Sequence, residues 1–446
     1  MGAEELGPNL APVAADPFRL NEAVESLCTY SLIARDPHAQ TLRVHRLVQA
    51  VIRDEMDRET QQQWLEHALR VVNHSFPEDE PAPWTNSQRC LDHAFVCVEL
   101  AKTGIKFFSD VGELLLKAAI YLRNRGQYGE AEPLFQQALA VREERLGTDH
   151  PSLIRTLGHF AVLYENQGLY EKATPLYQRA LAISEQALGP NDSETAICLN
   201  DMAFLYYRKA LYEQAEQLFQ RSLAIFEQVL GTEHQLTANA LNNLARLYHD
   251  KGEYEQAESL YQRALAIREQ HPEIGLDHQY TAQSLNDLAT FYLEQNRDEQ
   301  AEPLLQRALT IRERILGVDN RHTARTLANL ATLYCHQGKY EQAEPLYHQA
   351  LTTLERVQGA SHPYTAQVLD NLATLCCHQG KYEQAEPLYH RALTIFEHQL
   401  GSQHPYAVET RKRYTRLLQG NKPIEEAEIL EKGIAQQSWA DDQSVT

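Results

Sequence analysis

Several features that mark whole classes of protein are missing from this sequence. No apolar run approaches the ~20 residues that a membrane-spanning helix needs, so no membrane partner is expected. The N-terminus has neither the basic stretch nor the apolar stretch of a signal peptide. Positive charge is scarce: 41 Lys and Arg face 61 Asp and Glu, a net charge of −20. Because phosphate binding needs a positive field, no nucleic-acid partner is expected.

Cysteines and catalytic motifs are also sparse. There are seven cysteines, an odd number, and no CxxC motif. This argues against a disulfide framework and for a reducing, cytoplasmic location. Gly338-Lys339 and Gly380-Lys381 are each followed by tyrosine, whereas a P-loop needs a hydroxyl residue there for magnesium. The histidines follow no Ser/His/Asp or Cys/His order, so we expect no catalytic residue, no cofactor and no enzyme activity.

Two Cys-His groups raise the question of a metal site. They are Cys335-His336 and Cys376-Cys377-His378. Equivalent positions in successive repeats are separated by roughly 10 Å, because packed helix axes lie 8–10 Å apart. All ligands of one zinc ion lie within about 2.3 Å of it. We therefore predict no metal site and interpret these cysteines as small packing or groove residues.

What the sequence does contain is a repeat. An alanine in a recurring Tyr-x-x-Ala-type motif returns after steps of 42, 42, 42, 44, 42, 42 and 42 residues. Such a fixed period predicts a repeat array, in which each unit contacts only its neighbours. The alanines are Ala131, Ala173, Ala215, Ala257, Ala301, Ala343, Ala385 and Ala427.

Each unit is predicted to be a pair of helices, A and B. In the fourth unit, helix A has Ala245 and helix B has Ala257 and Ala264, small residues that allow two helices to approach closely. Leu241 and Tyr261 would fill the space beside them. This pattern resembles the tetratricopeptide repeat. The 42-residue period, Leu-Gly-x-x-His-Pro and Leu-Asn-Asn-Leu-Ala are similar to the kinesin light chain type. The resemblance implies an all-α, right-handed superhelix of about eight helical hairpins.

The N-terminal region has a different pattern. Residues 20–27 and 47–52 have helical spacing, and two short stretches at 30–35 and 41–45 alternate like strands. Helix, hairpin, helix is the outline of a winged-helix end. Ser31-Leu32-Ile33 followed by Val44-His45-Arg46-Leu47-Val48-Gln49 resembles the winged-helix domain of bacterial NB-ARC–repeat proteins, which belong to the STAND class of switch ATPases. The resemblance implies that the array is the sensor arm of such a protein and that an ATPase domain is its partner if the chain is part of a longer one.

These patterns predict five segments: an irregular lead-in at 1–17, a winged-helix-like segment at 18–58, a helical bridging region at 59–110, the repeat array at 111–436 and a disordered tail at 437–446. The link at 271–278 is two residues longer than the others, which predicts a bulge or splay between the fourth and fifth units. Acidic residues at the B-helix starts are predicted to complement the helix dipoles.

A polar surface is predicted on the A helices, which line the concave groove in tetratricopeptide folds. Amide side chains both donate and accept hydrogen bonds, so a row of Asn and Asp is suited to holding a peptide backbone. The alternative is that these residues are simply solvated or cap a neighbouring helix. The candidate groove residues are Arg155, His159, Asn200, Asp201, Arg208, Asn242, Asn243, Arg246, Asn286, Asp287, Arg325, Asn329 and Asn371.

Three functions remain open at this stage. The first is recognition of a peptide or protein ligand in the groove, as the sensor arm of a STAND-type ATPase. The second is a stand-alone scaffold that self-associates or bridges partners. The third, a DNA-linked regulator acting through the winged-helix-like segment, is disfavoured because that segment mixes basic and acidic residues.

Overall fold

The computed structural model describes residues 16, 33–36, 41–44, 57–75, 91, 93, 94, 108–271, 275–402 and 404–420. The lead-in apart from Asp16, the helices predicted at 20–27 and 47–52, and the tail lie outside these residues, as does the repeat alanine at 427. Contacts divide the chain into two units. One comprises Met1–Tyr121 and Pro133–Arg145, and the other comprises Leu122–Glu132 and Leu146–Thr446.

The first unit contains a two-stranded hairpin and a long helix. Strand β1 (Ile33–Asp36) pairs antiparallel with β2 (Thr41–Val44), so the two predicted strands exist. Helix α1 spans Arg58–Ser75. The Nζ atom of Lys117, on the next helix α2, donates a 2.8 Å hydrogen bond to the Asn73 carbonyl of α1. This bond joins α2 to the helix that precedes the repeats.

From α2 onward the chain alternates between A and B helices, as the repeat predicts. The helices are α2 (Phe108–Asn124), α3 (Tyr128–Leu146), α4 (Leu153–Asn166), α5 (Tyr170–Ala187), α6 (Ser193–Arg208), α7 (Tyr212–Val229), α8 (Gln235–Asp250), α9 (Tyr254–Gln270), α10 (Gln279–Glu294), α11 (Asp298–Leu316), α12 (Arg321–His336), α13 (Tyr340–Val357), α14 (Pro363–His378), α15 (Tyr382–Leu400) and α16 (Pro405–Leu418). The fold is therefore an all-α tetratricopeptide-like superhelix. Within the described part of the chain, no helix has both the length and the apolar character to cross a membrane.

The predicted packing residues form the core of the second unit. Ala245 and Ala257 are fully buried where α8 meets α9, and Tyr261 packs in the same cluster. That cluster runs without a break from Ala203 on α6 to Leu333 on α12. From α6 to α12, each repeat therefore shares its core with its neighbours, as expected for stacked repeats.

The links between units have a recurring chemistry. Gly317 and Gly401 are the C-caps of their helices, with φ angles of 82° and 93° that favour glycine. The link histidine is the N-cap of the next helix: His362 Nδ1 accepts from the Tyr364 backbone N–H at 3.1 Å. A threonine in the next first turn donates back to the link glycine, as Thr323 does to the Gly317 carbonyl at 2.8 Å.

The longer fourth link does not splay the helices. Arg268 at the end of α9 donates to the Tyr280 carbonyl and to Ser284 on α10, both at 2.8 Å. Arg312 makes the equivalent contacts across the next link, which has the regular length. The same junction forms in both places, so the longer link does not change the contacts that join α9 to α10.

Acidic side chains occupy the first turns of the B helices, as predicted; Glu213, Glu255 and Glu341 are examples. Their carboxylates lie near the positive end of each helix dipole. A second carboxylate further along helix B ties adjacent units together. Glu216 accepts from Tyr248 at 3.0 Å and from Lys251 at 2.6 Å, both in the next unit.

Candidate functional site

The candidate groove residues form a polar ladder between neighbouring A helices. Each A helix from α4 to α14 has a buried packing alanine, such as Ala203 on α6 or Ala245 on α8. The residue three positions before that alanine contacts a residue of the next A helix, namely the one two positions before the packing alanine there. Asn243 Nδ2 donates to Asn200 Oδ1 at 3.1 Å. Asn242 Nδ2 donates to Asp287 Oδ2 at 3.3 Å. In the following pair, Asn329 Nδ2 donates to Asn286 Oδ1 at 3.0 Å.

The ladder is buried over helices α8 to α14. The exposed fractions are at most 6% for Asn242, Asn243, Arg246, Asn286, Asp287, Arg325, Asn329 and Asn371. Part of the hydrogen-bonding capacity of these side chains is thus used between helices. Some of it is left over: Asn243 Oδ1 and Asn286 Nδ2 have no hydrogen-bond partner among the described residues.

The arginines of the candidate set lie beside the ladder and contact acidic or aromatic groups. Arg208 lies 3.6 Å from Glu165, with its guanidinium 5.4 Å from the Tyr170 ring centre. Arg246 NH2 lies 4.0 Å from Asp287 Oδ1. The Arg325 guanidinium stacks 5.2 Å from the Tyr364 ring centre.

The inner face is more open at its N-terminal end. Arg155 is exposed, and His159, Asn200, Asp201 and Arg208 are half-buried. A cavity of about 220 Å³ lies between α4 and α6. It is lined by Ile154, Arg155, Gly158, His159, Val162, Tyr177, Ala180, Glu194, Ile197, Cys198 and Asp201. The structure therefore brings three of the predicted residues, Arg155, His159 and Asp201, around one cavity.

Gly158 accounts for this cavity. Position 158 lies three residues before the packing alanine Ala161, and Asp201 lies two residues before Ala203. The side chain at 158 should therefore contact Asp201, but glycine has no side chain. A Cβ built on Gly158 has no other atom within 4 Å. A second missing rung occurs where Ala328 faces Asn371, whose Nδ2 has no partner among the described residues.

The carboxyl group of Asp201 is held in an unfavourable setting for a charge. Burial raises its pKa to about 8, and the nearby Glu165 carboxylate adds to the effect. Burial also raises the pKa of Glu194, with Asp192 contributing and Arg155 opposing. Burial raises the pKa of the Cys198 thiol to about 12, so it stays protonated. The cavity thus contains carboxyl groups that would gain from a hydrogen-bonding or cationic ligand group.

The raised pKa predicts a pH-dependent stability. The Asp201 pKa rises from 3.8 in the unfolded chain to about 8 in the native state. The native state therefore holds the extra proton in this window, and stability falls as pH rises through it. Asp201→Asn should remove this loss and be more stable than wild type by about 1 kcal/mol or more near pH 8.

Urea unfolding of both proteins at about pH 5 and pH 8 measures this difference. Asp277→Asn, at a carboxylate that is 64% exposed, is the matched control and should leave the pH profile unchanged. Parallel profiles for wild type and Asp201→Asn would show that Asp201 titrates normally.

Sequence reasoning missed several residues of the site: Gly158, Glu194 and Cys198 at the cavity, and Asp370 and Arg413 at the last rung. Asp370 and Arg413 form an ion pair in place of the amide pair, and both are at most 9% exposed. The ladder register alone would have found Gly158 and this pair.

The cysteines that raised the question of a metal site are packing residues. Cys335 and Cys376 lie in the core. Among the residues described, no three His, Cys, Asp or Glu side chains are grouped as metal ligands.

Comparison with solved structures gives several similar folds. BtubC (BKLC) from P. vanneervenii is 25% identical over 57% of this chain and 92% of its own, with a TM-score of 0.42. The nearly identical TPR-like repeats of a Podosopora anserina kinesin light chain are 23% identical over 47% and 98%, with a TM-score of 0.36. A Rap protein complexed with Competence and Sporulation Factor is 16% identical over 79% and 91%, with a TM-score of 0.57.

Comparison with families and curated proteins gives a consistent result. No curated protein matches the chain. A domain of unknown function, DUF7779, matches residues 7–61. One tetratricopeptide-repeat family matches residues 110–186, 155–228, 194–270, 322–398 and 364–436, and a second matches 281–322. These matches cover more than half of the sequence, so the chain belongs to the tetratricopeptide-repeat family.

Proposed function

We propose that the chain is a protein-recognition module that holds a peptide or protein segment on its inner face. The observation that carries this proposal is the 220 Å³ cavity between α4 and α6. It lies where the ladder lacks a side chain, and it brings Arg155, His159 and Asp201 together. Binding sites of this kind combine an apolar lining with a few polar groups that fix orientation.

The lining of the cavity favours a particular kind of ligand side chain. Ile154, Val162 and Ile197 supply apolar surface on one side. Asp201 and Glu194 supply carboxyl groups, whose raised pKa values would fall on contact with a cationic or hydrogen-bond-donating group. A side chain with an apolar stem and a donor at its end matches both surfaces.

The inner face beside the cavity supports a continuation of the ligand. Asn200, next to Asp201 on α6, is half-buried and therefore still accessible. Its amide can both donate and accept, as the groups of a peptide backbone require. The Rap protein of similar fold was solved in complex with Competence and Sporulation Factor, so a bound factor is compatible with this architecture.

Filling the cavity tests the proposal without damaging the fold. Gly158→Leu places a side chain in open space, and leucine is favoured over glycine within a helix by roughly 0.5–1 kcal/mol. The variant should therefore be at least as stable as wild type and should bind ligand at least tenfold more weakly. Peptides selected from a displayed random library against the wild-type chain serve as probes, with affinity measured by fluorescence polarisation.

Gly129→Leu is the matched control, because its Cβ also meets nothing within 4 Å but lies on exposed helix surface away from the cavity. It should leave affinity unchanged. A combined Asn243→Ala and Asn329→Ala variant removes two buried hydrogen bonds between A helices. It tests whether this packing positions the inner face, with a predicted loss of affinity of at least fivefold. Wild-type affinity in Gly158→Leu would rule out the cavity as the recognition site.

We also propose that this module is the sensor arm of a STAND-type ATPase. Two observations support this: the antiparallel hairpin at Ile33–Asp36 and Thr41–Val44, and a separate family match at 7–61, N-terminal to the repeat matches that begin at 110. Sequencing the gene and its neighbours tests the idea. A P-loop ATPase domain encoded in frame upstream or in an adjacent gene is expected, and its absence from both places would refute the proposal.

A further inference from the structure

A second, smaller cavity lies in the second unit and includes Arg208, one of the candidate groove residues, in its lining. Its volume is about 60 Å³. The turn after α2, the ends of α4 and α6, and the starts of α14 and α16 surround it. The early and late repeats touch here: a Cβ on Gly126 would lie 3.1 Å from the ring of His362. One water needs only about 10–15 Å³, so the space suits a group of a few heavy atoms.

The lining of this cavity is strongly cationic. Arg123, Arg208 and Arg321 converge on it from three different helices, and both His362 and His404 line it. Among the described lining residues there is no Asp or Glu. Outside the lining, the Glu165 carboxylate lies 3.6 Å from Arg208. Three guanidinium groups therefore meet at a cavity whose described lining carries no carboxylate of its own.

Burial and neighbouring positive charges both disfavour the charged forms of the groups at this cavity. Burial, together with the repulsion from Arg321, lowers the pKa of Arg123 to about 10. Burial lowers the pKa of His404 to about 4, with a contribution from Arg208. Positive charges are therefore held close together at a free-energy cost, which a bound anion would offset.

Independent features also point to a ligand. Gln358 is only 2% exposed, and its Oε1 atom has no hydrogen-bond partner among the described residues. The N-termini of α14 and α16 begin at the cavity, and helix N-termini favour anions. His404 Nδ1 accepts from the Tyr406 backbone N–H at 3.3 Å, which leaves the ring proton on Nε2 as a further donor.

We propose that this cavity binds a small oxyanion, a phosphate or carboxylate group, held by Arg123, Arg208 and Arg321. The unpartnered Gln358 oxygen would accept a hydrogen bond from the hydroxyl of a hydrogen phosphate or from the amide N–H beside a chain-terminal carboxylate. Because these residues come from early and late helices, the anion would act as a clamp between repeats that are distant in sequence.

Calorimetric titration of the full chain with inorganic phosphate tests the site directly. Concentrations of at most about 10 mM, at constant ionic strength, avoid the general stabilisation by excluded salts. Wild type should show saturable binding, and Arg321→Gln should weaken it at least tenfold. Arg314→Gln removes one exposed guanidinium elsewhere and should leave binding unchanged. No saturable binding to wild type, or equal losses in both variants, would overturn the proposal.

Gln358→Glu provides a test that does not depend on removing an arginine. The substitution builds a carboxylate into the cavity with almost no change in size. It should raise the melting temperature and abolish phosphate binding, because the site then carries its own anion. The control is Gln379→Glu, at a glutamine whose side chain donates to Glu344 at 3.1 Å. Repulsion should lower its melting temperature, and an equal loss in Gln358→Glu would contradict the anion site.

The source of the oxyanion is settled by competition. Trialanine with a free C-terminal carboxylate and its C-terminal amide are titrated against phosphate-loaded protein. Displacement by the acid alone indicates a site for a carboxylate of a polypeptide. Displacement by neither, with phosphate binding intact, indicates a site for a free inorganic anion. Displacement by the amide as strongly as by the acid would show that charge is not recognised and would overturn the proposal.

Discussion

Arg312→Ala is expected to lower the free energy of unfolding by about 3–5 kcal/mol. The guanidinium is 1% exposed and joins three helices. It donates to the His322 carbonyl at 2.9 Å and to Thr326 Oγ1 at 2.6 Å on α12, and to Gln283 Oε1 at 2.6 Å on α10. Each abandoned acceptor costs about 1 kcal/mol or more, and the truncated stem leaves a void.

Urea unfolding followed by circular dichroism measures this effect, and Arg314→Ala is the control. Arg314 lies two residues away on α11, is 56% exposed and pairs with Asp277. An exposed pair contributes at most about 1 kcal/mol. Equal destabilisation by the two substitutions would contradict the role assigned to Arg312.

The next repeat shows how the same junction is made without charge. Leu354 and Val368 stand where the earlier repeat has Arg312 and Thr326, and both are buried. Replacing a buried polar group together with its partner by apolar residues is often nearly neutral. The double variant Arg312→Leu/Thr326→Val should therefore recover at least half of the stability that Arg312→Ala loses.

The fold was predictable because the information is local and repeated. Ala245, Ala257 and Tyr261 recur at one period, and only a stacked helical array lets all copies bury the same face. The link glycines were recognisable as helix ends. The N-cap function of His362 was not, because histidine is not among the preferred N-cap residues.

The candidate site was less predictable because it depends on the register between helices. The repeat places Asn200 and Asn243 on inner-facing positions, but their hydrogen bond needs a helix rotation that one repeat does not specify. Gly158 and Asp201 indicate a cavity only when they are considered together, because they lie on the A helices of two successive units. Whether a polar side chain is exposed in a groove or buried in a ladder also depends on how tightly the A helices stack.

Arg413→Ala is expected to destabilise the C-terminal end of the array by about 3–5 kcal/mol, because it leaves a buried carboxylate without its partner. Asp370 is 5% exposed, accepts from Thr410 Oγ1 at 2.8 Å and is paired with Arg413. In a repeat array the loss should be local. Amide hydrogen exchange should therefore show a larger loss of protection in α14–α16 than in α8–α10.

A double-mutant cycle distinguishes the energy of the ion pair from the effects of each substitution alone. Asp370→Asn/Arg413→Asn replaces the pair by the two amides that Asn286 and Asn329 present in an earlier rung. Because no charge then remains buried, this variant should be clearly more stable than Arg413→Ala. The cycle completed by the single variants Asp370→Asn and Arg413→Asn should give a coupling energy of at least about 1–2 kcal/mol. Additive losses would mean that the two side chains act independently. A coupling of this size would show that the final rung follows the same register as the amide rungs before it.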